Sequence, residues 1–411
     1  MNILLINHYA GSTEMGMEFR PYYFAREWVK ARHHVDIIAG DYSHLRRQNP
    51  HVEQDFQKEE IDGISYHWIR TGEYEGNGVK RAFTMFRFVG KLWLHAGKIV
   101  KEMRPDVVIA SSTYPLDTYA AQRIAKKAGA QLIHEVHDMW PITLIELGGM
   151  SKWNPFVVLM QIAENSAYKH SDKVVSLPPC AKEYMVQHGL QPENFVHISN
   201  GIIKEEWEHP APLPEEHQQL LTQLKEQGKF IVGYFGGHAL SNALQNLIQA
   251  AQMVQNDKIV FVLVGNGVEK PGLQEYVRKN GMNNVYFLPP IVKESIPTLI
   301  QQFDCIYMGL HKSSLYRFGI CMNKLFDSMM AGKPILYAVD SPDNCIERYQ
   351  CGYTVDPEQP QEYVDALEQI ITLDKEKRQQ MGQNGRQAVL EHFEYSILAN
   401  DFLNIMKKRG Q

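Results

Sequence analysis

The chain has 411 residues, enough for two or three domains at roughly 150 residues each, so a small scaffold held by disulfides or a structural metal is excluded. Its 42 Lys and Arg against 47 Asp and Glu give a net charge of −5, with 44% hydrophobic and 22% charged residues; that is the make-up of a globular enzyme and offers no global electrostatic case for nucleic acid as a partner. The cysteines (Cys180, Cys305, Cys321, Cys345, Cys351) are odd in number and lack Cys-x-x-Cys spacing, which suggests neither a disulfide framework nor a zinc site and fits a reducing cytoplasm.

The N-terminus, Met1-Asn2-Ile3-Leu4-Leu5-Ile6-Asn7-His8, is too short and too lightly charged for a signal peptide. No uninterrupted apolar run reaches the roughly 18 residues of a membrane span. Residues 3–6 read as a buried strand, followed by a loop with Gly11 and Gly16 and a helix from about Pro21 to Ala31. Strand, helix and strand then recur: 35–39, 106–110, a helix from Leu116 to Lys127, and 131–136. Near-continuous aliphatic strands alternating with helices predict an α/β fold with a parallel sheet covered on both faces. The pattern pauses between about Ile203 and Gly228, where Pro210, Pro212 and Pro214 and many Glu and Gln residues replace the aliphatic runs. It restarts at 229–236, then a helix over Leu244 to Val254 and strands at 259–264, 285–288, 305–308 and 334–338. Two Rossmann-like domains facing across a cleft are expected, residues 1–205 and 206–395, with a final amphipathic helix in 396–411 that returns to the first. Open sheets of this kind bind ligands at the carboxyl ends of their strands.

A dinucleotide-binding dehydrogenase is the first rival, and the glycines disfavour it. Gly11 and Gly16 do not make a G-x-G-x-x-G, and Gly265-Asn266-Gly267 supplies only half of one. No Walker lysine loop occurs, which disfavours a nucleoside triphosphatase, and no Asp-x-Asp occurs to suggest a metal clamp. The richest segment is 314–334. Phe326, Met329 and Met330 give a helical apolar face, while Gly332 and Pro334 stop the helix. An irregular loop thereby meets a helix N-terminus, a ready anion site. Lys324 sits in the first turn, the unfavourable end for a lysine, and a bound diphosphate would remove that conflict. Asp327, one turn on, is suited to accept a diol.

The run Asn323-Lys324-Leu325-Phe326-Asp327-Ser328-Met329-Met330-Ala331-Gly332-Lys333-Pro334 resembles the donor-site signature of the family-4 glycosyltransferases. Val264-Gly265-Asn266-Gly267 is similar to the family's V-G-x-G turn, Ser199-Asn200-Gly201-Ile202 to its P-N-G-[VI] segment, and Val136-His137-Asp138-Met139-Trp140-Pro141 to its H-D-x-W-P segment, typical of the branch that builds bacterial surface polysaccharides. The resemblance implies the GT-B fold, retention of anomeric configuration, and no metal or cofactor beyond a UDP- or GDP-type sugar donor as co-substrate. It implies transfer of a hexosyl or N-acetylhexosaminyl group to a polysaccharide or lipid-linked oligosaccharide. By position, Asp327 matches the second acid of the E-x7-E motif, which binds ribose, and the first acid falls at Gly319. The family's Arg and Lys pair falls near Gly237 or His238 and Asn242, none of them strongly basic. Lys324, with Arg317 or Lys312, is then the nearest supply of positive charge for phosphate. The implied donor-binding set is Gly236, Gly237, His238, Asn242, Gly265, Asn266, Arg317, Gly319, Asn323, Lys324, Leu325 and Asp327. His137, Asp138 and Lys324 are the implied catalytic groups. Gly16, Glu18 and Arg20, on the loop after the first strand, are expected acceptor contacts.

One more stretch has its own chemistry. Residues 80–101 interleave aromatic and aliphatic side chains with Lys80, Arg81, Arg87, Lys91, Lys98 and Lys101 and contain no acid. Such a helix either lies in a headgroup region, giving peripheral contact with the inner face of a membrane, or packs on a core with a basic outer face. The reading is a cytoplasmic glycosyltransferase acting on a nucleotide sugar and a glycan or lipid-linked glycan. A GT-B sugar-nucleotide epimerase and a catalytically silent GT-B partner subunit are the alternatives.

Overall fold

The computed structural model describes residues 1–16, 19–76 and 78–407 and divides into two compact units. The first comprises Met1–Asn200, Phe318–Cys321 and Tyr395–Gln411, and the second comprises Gly201–Arg317 and Met322–Glu394. The division thus falls earlier than the expected 205/206, and the short piece 318–321 joins the first unit, which nothing in the residue pattern announces. Asn200 shows why the boundary sits there. Its amide accepts from Arg20 and donates to the Cys321 carbonyl, both in the first unit, whereas the Ile202 N–H donates to Phe393 of the second.

The first unit is built on strands β1 (Asn2–Ile6), β2 (His34–Gly40), β3 (Gln57–Ile61), β4 (Ile64–Ile69), β5 (Val107–Ala110), β6 (Gln131–Val136), β7 (Lys173–Ser176) and β8 (Phe195–His197). Their order is β3-β4-β2-β1-β5-β6-β7-β8, and every pairing is parallel except β3 with β4. The hairpin turns at Asp62-Gly63, both with positive φ (51° and 78°), the dipeptide that a tight two-residue β-turn favours. Its outer strand, Gln-Lys-Glu-Glu-Ile, is mostly exposed, and charged side chains at a sheet edge deter pairing with other chains.

Helix α1 (Phe19–Lys30) covers one face of this sheet together with the last helix, Tyr395–Asn404. Phe24 and Trp28 are buried against Phe402 at ring-centroid distances of 5.3 and 5.2 Å, and the Trp28 indole N–H donates to the Ala399 carbonyl at 3.2 Å. Helices α2 (Val79–Met103) and α3 (Asp117–Ala128) pack on one another over a core with β1, β2 and β5. Met85, Phe88, Leu92, Ala96, Ile99 and Met103, spaced three or four apart, form the buried stripe of α2. Arg104 in the left-handed conformation ends it, its N–H donating to Val100, just before Pro105. Two further helices, α4 (Ile142–Glu146) and α5 (Pro155–His170), follow β6; Asn154 caps α5 by accepting from the Phe156 N–H. Among the described residues no helix is long and apolar enough to cross a membrane.

The second unit carries β9 (Phe230–Phe235), β10 (Ile259–Val264), β11 (Val285–Leu288), β12 (Cys305–Gly309), β13 (Ile335–Ala338) and β14 (Gly352–Thr354), all parallel in the order β11-β10-β9-β12-β13-β14. The central strands β9 and β10 are buried at every residue, as a sheet covered on both faces requires. Helices Leu244–Met253 and Pro360–Thr372 close one apolar core, and Glu215–Glu226 with Ile296–Ile300 close the other.

Candidate functional site

In the second unit the carboxyl ends of β9, β10 and β12 converge on helix Asn323–Met330, whose N-terminus no side chain caps. The apolar stripe Leu325, Phe326, Met329 and Met330 is buried, which fixes the rotation of the helix and brings Lys324 inward. The Lys324 ammonium donates to the Tyr234 hydroxyl at 3.2 Å and the Asn242 side-chain oxygen at 3.3 Å, and lies 5.0 Å from the centre of the Tyr234 ring. Those two partners are themselves held, since the Tyr234 hydroxyl and the Asn242 amide both donate to the Gly237 carbonyl, at 2.6 and 2.8 Å. All three are neutral, so burial pushes the lysine pKa down to about 8.

Backbone crowding explains the glycines beside it. A side chain at Gly265, with φ of 149°, would bring its Cβ within 1.9 Å of the Gly236 carbonyl oxygen, so the ends of β9 and β10 close up only with glycine there. At exposed Gly237 a Cβ would meet nothing within 4 Å. In front of these glycines lies a cavity of about 220 Å³, bounded by Phe235, Val264 and Asn266 and, across from them, by Pro290, Ile291 and Ile296. Asn266 is exposed, with its side-chain oxygen accepting from the Gly267 N–H.

His238 is fully buried behind the same turn, and neither ring nitrogen has a hydrogen-bond partner. Burial, then Lys270 and Lys324, lowers its pKa to about 4, so the ring is neutral. Lys270, which the residue pattern did not single out, donates to the Gly265 and Leu288 carbonyls at 2.7 and 2.9 Å and ties the ends of β10 and β11 together. Asp327 is half-buried, one turn beyond Lys324. Burial raises its carboxyl to about 7, with Lys293 opposing, and Lys293 forms a 2.7 Å ion pair with Glu206.

Several expected contacts are committed elsewhere. Leu325 is 2% exposed, packs in the core, and donates its N–H to the Met322 carbonyl. Asn323 is exposed at the helix start. Arg317 turns back to donate to the Ser314 carbonyl of its own turn, and Lys312 pairs with Asp356 at 2.8 Å. Gly319 belongs to the first unit. Its φ is 84°, and a Cβ there would lie 2.4 Å from Pro179 Cγ, so the position that resembles the first acid of E-x7-E has no room for one.

In the first unit, the carboxyl ends of β1, β5 and β6 hold a buried polar network. Arg20 is 6% exposed and donates to Glu135 at 3.0 Å, to the carbonyls of Ile198 and Ser199, and to the Asn200 side chain. All four of these partners lie inside the fold, so the structure places Arg20 as a tie within the unit where an acceptor contact was expected. Burial alone would raise the Glu135 carboxyl, but Arg20, then His137 and Ser111, outweigh it and hold it at about 2. The other Glu135 oxygen accepts from the Ser111 hydroxyl at 2.6 Å and lies 3.3 Å from His137 Nε2, which is also 2.9 Å from that hydroxyl. The imidazole is thereby oriented by a fixed carboxylate. Asp138 is exposed beside it, and Gly16 (φ 86°) lies in the turn after β1 with its N–H donating to Ser12. Glu18 lies outside the described residues. Next to His137 and Asp138 is a cavity of only about 10 Å³, also lined by His134 and Glu164, room for no more than a water. Among the described residues no group of three or more His, Cys, Asp or Glu is placed to hold a metal ion.

Comparison with known proteins agrees with this division. Residues 15–201 match a Glycosyl transferase 4-like domain, and residues 218–388 match Glycosyl transferases group 1. The protein named glycosyltransferase WbjE of Pseudomonas aeruginosa is 23% identical over 309 residues, covering 72% of each chain. WcaI of Escherichia coli K12, named for glycosyl transfer in colanic acid biosynthesis, is 23% identical over 207 residues, about half of each chain (50% and 51%). Among solved structures, that of HepE from Anabaena in complex with UDP and glucose superposes with a TM-score of 0.65 at 16% identity, covering 98% of both chains.

Proposed function

From the premise that this chain belongs to the family-4 glycosyltransferases of GT-B fold, we propose that its second unit binds a UDP- or GDP-type sugar. The sugar passes, with retention at the anomeric carbon, to a hydroxyl of a polysaccharide or lipid-linked oligosaccharide. The observation that carries the donor site is Lys324: a half-buried ammonium held by the neutral Tyr234 and Asn242 side chains, at the uncapped start of a helix, beside a backbone left open at Gly237. A diphosphate fits that position because the amides and the ammonium both favour negative charge. As the bond to the sugar breaks, charge grows on the departing phosphate, and groups already in place stabilise it without reorganising. The leaving group is then met by Lys324 and the helix start without a metal clamp. The cavity walled by Pro290 and Ile291 accepts the flat base, and Asp327 is the acceptor for the ribose diol. His137, oriented by Glu135 and Ser111, is the catalytic group of the first unit, with Asp138 beside it.

The colanic acid biosynthesis in the name of WcaI supports a polysaccharide acceptor, and the UDP and glucose bound to HepE support a nucleotide-sugar donor. The test is a mass-spectrometric screen of UDP- and GDP-sugars with a crude lipid-glycan acceptor, beside a thermal-shift series with UDP and GDP. Acceptor-dependent loss of one nucleotide sugar is expected, with stabilisation by the matching diphosphate that Lys324→Ala abolishes. Conversion of a nucleotide sugar to its isomer with no acceptor present would indicate the epimerase instead. A flat thermal-shift series for both diphosphates would indicate the silent subunit.

A further inference from the structure

Helix α2 has two apolar faces. One is the buried stripe already described; on the opposite side Val79, Phe83, Phe86 and Leu94 recur at intervals that return to one face of a helix. These four are exposed, Phe83 by 64% and Leu94 by 78%, and Gly90 and Gly97 lie between and beyond them on the same side. The sequence offered a membrane-facing helix or a core helix with a basic outer face; the outer face is apolar, and most of its bases turn aside. Arg81 donates to the Tyr9 hydroxyl, Arg87 to the Thr71 carbonyl and Lys91 to Asp55, while Lys98 lies 4.0 Å from Glu102.

A second element also exposes apolar side chains. Phe86 meets Phe156 of α5 at a ring-centroid distance of 6.5 Å; Val158 and Ile162, one turn apart, are exposed on another face of α5, and Trp153 just before it is 77% exposed. A row of large apolar side chains exposed on one face of a helix is rare on a protein with nothing to bind. Its charge identifies the occupant. Lys80 and Lys101 are exposed toward the two ends of α2, Lys152 stands 5.3 Å from the Trp153 ring, and no acid occurs from Val79 through Lys101. A second copy of the chain would bring these lysines against their own kind. An anionic lipid surface meets them with opposite charge while the Phe, Leu and Trp side chains enter the acyl boundary.

We propose that the outer face of α2, with the exposed start of α5, docks the first unit onto an anionic bilayer, the helix lying in the plane of the surface. This surface is independent of which sugar or nucleotide the second unit takes, and its test needs no turnover. The full chain is co-sedimented with vesicles of phosphatidylcholine alone and of equal parts phosphatidylcholine and phosphatidylglycerol, at low and high salt. Binding at least about tenfold tighter to the anionic vesicles, weakening with salt, is expected, since each lysine near such a surface contributes about fivefold. The double variant Phe83→Ser, Leu94→Ser should lose at least about tenfold of that binding with its unfolding midpoint unchanged, because both side chains are exposed. Lys80→Glu with Lys101→Glu should weaken binding and flatten its salt dependence. Equal binding to both vesicles, binding to neither, or a concentration-dependent dimer abolished by the serine variant would overturn the proposal, the last in favour of self-association.

Discussion

Lys324 offers the sharpest test of the donor site, because the same burial that suits it to a phosphate destabilises the empty protein. Held at about 8 against an ordinary 10.5, its ammonium is disfavoured by roughly 3 kcal/mol at 1.36 kcal/mol per pH unit. The side chain is partly open to solvent, so about 1–2 kcal/mol is the working figure. The unfolded chain keeps this proton up to about pH 10.5 and the folded chain only up to about 8, so stability rises with pH across that window and the whole penalty is present below 8. Lys324→Met should therefore raise the nucleotide-free unfolding midpoint at pH 7 by about 2–6 °C while removing diphosphate binding. In the wild-type chain only the protonated lysine attracts the diphosphate. Its population falls from about one half at pH 8 to about one tenth at pH 9, so affinity for UDP or GDP should drop about fivefold between them. That window lies above the titration of Asp327. Calorimetry at pH 8 in buffers of different ionisation enthalpy should show about half a proton taken up per nucleotide. Equal affinities at pH 8 and 9, no proton uptake, or a Lys324→Met variant that keeps the pH slope would refute the assignment.

Three further outcomes follow from the geometry. Asp327 titrates near 7 when folded and near 3.8 when unfolded, so its stabilising effect is full below pH 3.8 and lost as pH rises through 7. Asp327→Asn should be at least as stable above pH 7 in urea titrations, with nucleotide affinity lowered about tenfold or more if the carboxylate holds the diol. Gly319→Glu, which rebuilds the acid of E-x7-E, should lower the unfolding midpoint by an amount equivalent to about 1–3 kcal/mol and bring no gain in nucleotide affinity, because Pro179 occupies the space. Arg20→Ala leaves the Glu135 carboxylate buried without its main counter-charge, so a loss of about 3–5 kcal/mol in denaturant unfolding is expected; an unchanged stability with a raised acceptor KM would restore the expectation of an acceptor contact.

Much of the fold was legible because its strands are continuous aliphatic runs bounded by Gly, Pro and helix periodicity. The expected strands fall on β1, β2, β5, β6 and β9 to β13, while β4, parallel to β2, went unread. Strands β7 (Lys-Val-Val-Ser), β8 (Phe-Val-His) and β14 (Gly-Tyr-Thr) are short and broken by polar residues or glycine, so they offered too little pattern. The β3–β4 hairpin was readable in principle from Asp62-Gly63, but its charged outer strand resembles a loop. At the site, Lys324 stood out as a lysine at the wrong end of a helix, and the structure shows its neutral partners. Tyr234 and Lys270 could not be found that way. One is a buried aromatic in a strand of buried residues and the other an ordinary helix lysine, and only the fold brings them to the strand ends. Arg20 misled for a related reason, since local order places it on the ligand-facing loop while its partners at Ile198, Ser199 and Asn200 are remote in sequence.

The three-piece make-up of the first unit has a bearing on synthesis. A ribosome delivers 1–200 first, yet Phe24 and Trp28 await Phe402 and the Ala399 carbonyl, and Asn200 awaits Cys321. The second unit can close as soon as Glu394 has emerged, while the unit that began first is completed last by the Tyr395–Asn404 helix. Until then a nascent chain carries an aromatic surface with no cover, a natural target for a chaperone. Any fragment cut near residue 205 inherits that state permanently, and removal of the Tyr395–Asn404 helix acts on the stability of the N-terminal sheet.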